Sequence, residues 1–88
     1  MKTALHLDSR LWGRHGSEQH HYLLNPPYDG IKYVIVATII TPPMGPETFI
    51  FRSDERFRVI TWHELPGSYR GGTDRDKALA GLGYEVAR

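Results

Sequence analysis

With 88 residues the chain has room for one core, and 40% hydrophobic beside 24% charged residues is a globular mixture rather than a disordered one. Lys and Arg exceed Asp and Glu by 11 to 10, a near balance unlike that of a dedicated DNA wrapper, which binds by neutralising phosphates. The absence of cysteine excludes a disulfide scaffold, a Cys-ligated zinc site and a thiol nucleophile together.

Residues 1–19 mix charge, histidine and glycine around Leu5, Leu7, Leu11 and Trp12. Leu5 and Leu7 alternate with His6 and Asp8, the period of a short edge strand. The competing reading is an arm that orders only against a partner. The domain itself is expected over 20–88. His20–Leu24 is a plausible strand, closed by Asn25-Pro26-Pro27, where proline removes ladder donors. Tyr28-Asp29-Gly30 supplies a tight reversal.

Ile31–Thr41, IKYVIVATIIT, is the clearest element. Its β-branched residues pack well on a pleated surface, which predicts a strand. Both alternating faces are apolar, so the strand is expected at the centre of the sheet with both sides covered. A helix supplies one cover; the other is expected from the N-terminal segment, a second copy or a partner.

A proline-rich connection follows, then a strand over Glu47–Arg52, a polar hairpin at Ser53–Arg56 and a returning strand over Phe57–Thr61. Trp62–Gly72 reads as an ordered loop. Thr73 is the expected N-cap of a short helix over Asp74–Ala80, whose apolar face is Ala78, Leu79 and Leu82. Tyr84–Val86 adds a last edge strand. The fold class is therefore α+β: a small antiparallel meander sheet with one short C-terminal helix packed on one face. No basic-then-apolar leader opens the chain. Its longest apolar run, Val34–Ile40, is far short of the ~20 residues that span a bilayer. A soluble cytoplasmic protein is expected.

Four motifs appear in order: Tyr33-Val34-Ile35-Val36, Gly45-Pro46-Glu47-Thr48-Phe49-Ile50-Phe51, Trp62-His63-Glu64-Leu65-Pro66-Gly67-Ser68-Tyr69-Arg70-Gly71, and Ala78-Leu79-Ala80-Gly81-Leu82-Gly83-Tyr84-Glu85-Val86. Over about residues 21–86 this cadence resembles a family of small accessory proteins of actinobacterial bacteriophages. The resemblance implies a genomic setting and the host cytoplasm as compartment. It brings no activity with it.

Candidate sites weigh unequally. His15, His20 and His21 with Glu18 have the residue types of a metal site, but no local turn holds them together, and adjacent strand residues point to opposite faces. Gly67–Thr73 leads into a helix N-terminus, a natural anion site, yet Asp74 and Asp76 occupy the first turn. His63, Glu64 and Ser68 are a nucleophile and bases by type only, lacking any orienting pattern. No catalytic residue, metal or cofactor is assigned, and the chain is expected not to be an enzyme. Aromatic and long side chains in loops favour protein binding, with Trp12, Tyr28, Met44, Tyr69 and Arg70 as partner contacts. Trp62, beside an apolar strand, is assigned to the core. The expected partner is a host or phage protein, with a homodimer as a second expectation. The alternative is weak nucleic-acid binding through Arg52, Arg56, Arg58, Arg75 and Lys77, although acidic residues interleave both clusters.

Overall fold

The computed structural model describes residues 1–11, 17–40, 43 and 45–87. Seven strands and one helix follow in the order β1 (Thr3–Leu11), β2 (Glu18–Tyr28), β3 (Ile31–Ile39), β4 (Glu47–Ser53), β5 (Val59–Glu64), β6 (Tyr69–Arg70), α1 (Arg75–Leu82) and β7 (Glu85–Ala87). All strands join one sheet, ordered β5-β4-β3-β2-β1-β7, with β6 paired to β4. The α+β class and the C-terminal helix stand as expected. The strict meander does not, because β7 lies parallel to β1 and makes the sheet mixed. The helix carries the chain across the sheet from β6, which is antiparallel to β4 and so runs in the direction of β1, and the last strand arrives in that same direction.

The central strand is covered on both sides. Ile35 and Val36, which point to opposite faces, are both 0% exposed. On one face Val34, Val36 and Ile50 pack with Ala4, Tyr22, Leu24 and the helix residues Ala78, Leu79 and Leu82. On the other, Ala37, Phe49 and Phe51 form a second cluster, with Ile39 and Val59 against it. The N-terminal leucines do not supply that second cover, since Leu5, Leu7 and Leu11 are exposed. The chain after β4 supplies it instead. Asp54 accepts from the N–H groups of Arg56 and Arg58 and from Arg58 Nε, a side-chain-to-backbone turn that folds residues 54–58 back. Phe57 sits in that turn at φ 66° rather than opening a strand. Its ring stacks on His21 with centroids 4.9 Å apart.

Three further boundaries differ from the sequence reading. Residues 3–11 are a full strand paired to β2, so the mobile-arm reading is replaced by a sheet strand. Edge pairing with β7 covers only Thr3–Leu5. β2 continues through Pro26 and Pro27, with its regular pairing to β3 interrupted between Leu23 and Tyr28, because prolines need no ladder partner where the ladder is already broken. Trp62–Glu64 belongs to β5 rather than to a loop.

The helix cap also shifts by one residue. Asp74, not Thr73, is the N-cap, with Oδ1 accepting from Lys77 N–H at 3.1 Å. Tyr69 Oη accepts from Asp74 N–H at 2.7 Å and so fixes the entry. Asp74→Ala is expected to cost about 1 kcal/mol in urea denaturation. Thr73→Ala should leave stability nearly unchanged.

Candidate functional site

β1 and β2 bring together a polar cluster that no spacing in the sequence announces. His20 and His21 diverge to opposite faces of β2, as adjacent strand residues must. On the helix face, Arg75 at the start of α1 donates through one amino group to His20 Nδ1 and to Tyr22 Oη, each at 2.9 Å. Arginine has no acceptor, so Nδ1 carries a lone pair and Nε2 carries the proton. That Nε2–H is donated to Glu18 Oε1 at 2.8 Å. His6 Nε2 lies 3.1 Å from the same Nδ1. The result is a neutral His20 held from three sides. On the opposite face His21 Nε2 donates to the Asp54 carbonyl at 2.9 Å, and its ring lies between Tyr33 and Phe57.

Burial lowers the pKa of both His20 and His21. For His20 the Arg75 and His6 charges lower it further, against the opposing pull of Glu18. For His21 the Arg10 charge adds to burial, and Asp54 and Asp8 oppose. A depressed folded-state pKa means the unfolded chain takes up protons first as pH falls. Stability is therefore full above about pH 6.5, the ordinary imidazole value, and is lost on acidification below it. The expected result is a melting temperature that falls between pH 7.5 and 5, with a shallower fall in His20→Gln. A flat profile would contradict the neutral-histidine assignment.

The other candidates are placed as follows. Arg75 serves the cluster above. Arg58 is bound by Asp54 at 2.8 Å, and Lys77 Nζ stands 4.6 Å from the Tyr69 ring centre. Arg52 and Arg56 are exposed. Tyr28 packs against the main core, Tyr69 caps the helix entry, and Arg70 reaches the buried Glu47 at 3.4 Å. Trp12, Met44 and His15 lie outside the described residues. Ser68 has both hydroxyl roles filled, donating to the Leu65 carbonyl and accepting from Ile50 N–H. His63 and Glu64 are exposed on β5. Within the glycine-rich turn, Gly72 O accepts from Thr48 Oγ1 and Gly71 N–H donates to Pro46 O. Among the described residues no group of three or more His, Asp or Glu is placed to hold a metal ion. Nor is any helix among them long and apolar enough to cross a membrane.

The sequence reading passed over the rim of the sheet at β5. β5 ends the sheet on one side and presents Ile60 and Trp62, 54% and 59% exposed. Trp62 touches Phe51 edge-on at 5.1 Å between centroids, which fixes its ring without burying it. Val59 and Thr61 are half-buried and Ile60 and Trp62 exposed, but the pairing of β5 with β4 shifts register between Phe51 and Ser53, so alternation alone does not place Trp62. On the other side, the outer rim of β1 beyond Leu5 is uncovered by β7. No protein-family model, curated protein or solved structure matches the chain.

Proposed function

We propose that the chain is a non-enzymatic protein-binding module that takes an extended segment of a host or phage protein along the open edge of β5. The observation that carries this reading is Trp62, 59% exposed on the terminal strand and oriented by Phe51. A rigid aromatic anchor costs little entropy on binding, and tryptophan is the residue most enriched at binding hot spots. An unpaired edge offers backbone hydrogen bonds to an incoming strand, and alternate side chains then set specificity. Arg56, exposed in the turn that leads into β5, favours an acidic segment. The phage setting rests on the resemblance of residues 21–86.

Nucleic-acid binding is the weaker reading, because Arg58, Arg75 and Lys77 would have to leave Asp54, His20 and Tyr69 to reach phosphates. The test is retention from an actinobacterial lysate on immobilised full-length chain. A protein retained by the wild type and by Asp8→Arg, but lost with Trp62→Ser, supports the β5 reading. Material that survives Trp62→Ser, is lost with Arg52→Glu/Arg56→Glu and is released by nuclease would overturn it in favour of nucleic acid.

A further inference from the structure

The opposite rim of the sheet carries a different device. We infer that the outer edge of β1 pairs antiparallel with the same edge of a second copy of this chain, on a two-fold axis through Ser9. Residues 6–11 read His-Leu-Asp-Ser-Arg-Leu, and among the described residues no strand pairs with their outer side, since β7 stops at Leu5. Charges on an edge strand normally keep other strands away. Here they are arranged so that the strand complements itself.

The register follows from charge and side-chain type. Centred on Ser9, the pairing sets Asp8 opposite Arg10 of the second copy and Arg10 opposite its Asp8; the register shift between His6 and Asp8 ends the regular ladder at residue 8. Opposite charges and apolar pairs directly across a ladder stabilise it, while like charges there oppose it. Centring on Asp8 or on Arg10 sets a like charge against itself. Centring between residues 8 and 9, or between 9 and 10, faces a charged residue with leucine and leaves no ion pair. One register therefore pairs both charges of residues 8–10, and a two-fold axis makes the ion pair twice.

The side chains are already in position. Arg10 Nε donates to Gln19 Oε1 at 2.8 Å, and its guanidinium carbon lies 4.0 Å from the Phe57 ring centre. Both contacts hold the side chain while leaving the terminal amino groups for a carboxylate. Asp8 Oδ1 accepts from Ser9 N–H at 2.8 Å, which keeps the carboxylate at backbone level. Inside the strand, His6 is anchored on His20 and Tyr22. Pre-set side chains reduce the ordering cost of association.

The experiment is sedimentation velocity on the full-length chain over a concentration series, with charge variants. The wild type should run as a dimer in equilibrium with monomer, and Asp8→Arg or Arg10→Asp should each weaken association at least tenfold. The swap Asp8→Arg/Arg10→Asp, which restores opposite charges in the same register, should recover it. Because these side chains are exposed, melting of each variant at low concentration checks the fold separately. A wild type that stays monomeric overturns the inference, as does a dimer whose strength ignores both single variants and the swap. Neither result touches the β5 reading, whose test turns on Trp62.

Discussion

Ile35→Ala is expected to lower stability by about 2–5 kcal/mol, the range for removing a large aliphatic side chain from a core that collapses only partly. Ile35 is 0% exposed and stands in register between His21 and Phe51. Its neighbours are ring systems stacked on one another, which cannot flow into the gap left by the lost atoms. In urea, with a slope near 1 kcal/mol/M for a domain of this size, the midpoint should fall by roughly 2 M or more. Ile60→Ala is the control. That side chain is 54% exposed, and its loss should stay within about 0.5 kcal/mol. If the two variants shift the midpoint equally, the second face of β3 is not the tight core described above.

The second large effect is expected at Gly67. Its φ is +101°, where a side chain is strained, and a Cβ there would stand 2.2 Å from the Ala78 carbonyl oxygen and 3.1 Å from Ile50 Cδ1. The backbone of the loop and the backbone of α1 touch at this point, since Gly81 faces Gly67 Cα in the same way. Gly67→Ala must lift the helix from the sheet. Strain of about 1–3 kcal/mol adds to an overpacking cost of similar size. The melting temperature should drop by at least about 10 °C, given roughly 4–8 °C per kcal/mol for so short a chain. Gly71→Ala separates the two causes. Gly71 has a similar φ of +96° but nothing within 4 Å of its would-be Cβ, so only the conformational part should be lost. Equal losses at the two positions would mean that the helix does not bear on Gly67.

Much of the candidate site was hidden for a simple reason. His6, Glu18, His20, Tyr22 and Arg75 come from three elements, and Arg75 and His20 are 55 residues apart in the chain. Spacing shows neighbours along one element, whereas this cluster exists only through sheet register and the landing point of α1. The separation of His20 from His21 was legible because it needs only the strand's period of two. Trp62 was misassigned to the core for a related reason. Its neighbours are apolar, but its ring meets Phe51 only edge-on at the outer margin of the second cluster, where β5 ends the sheet and no described strand lies beyond it. That β7 stops at Leu5 and leaves the rest of the β1 rim without a strand partner among the described residues is encoded by no local pattern.

What the sequence determined by itself was local. The β-branched run of β3, the apolar face Ala78, Leu79 and Leu82 on a short helix, and the dense punctuation by glycine and proline follow from rotamer entropy and backbone sterics within a few residues. They place the strands from β2 to β5 and the helix in order, and they require β3 to be covered on both faces. Only the tertiary structure decided what provides the second cover, how the first and last strands pair, and which polar side chains meet. Those outcomes depend on long-range contacts whose register is chosen by the whole buried surface at once. The parallel pairing of Thr3–Leu5 with Glu85–Ala87 joins the two ends of the chain. It exists because Ala4 and Tyr84, both buried, share the core that the helix closes.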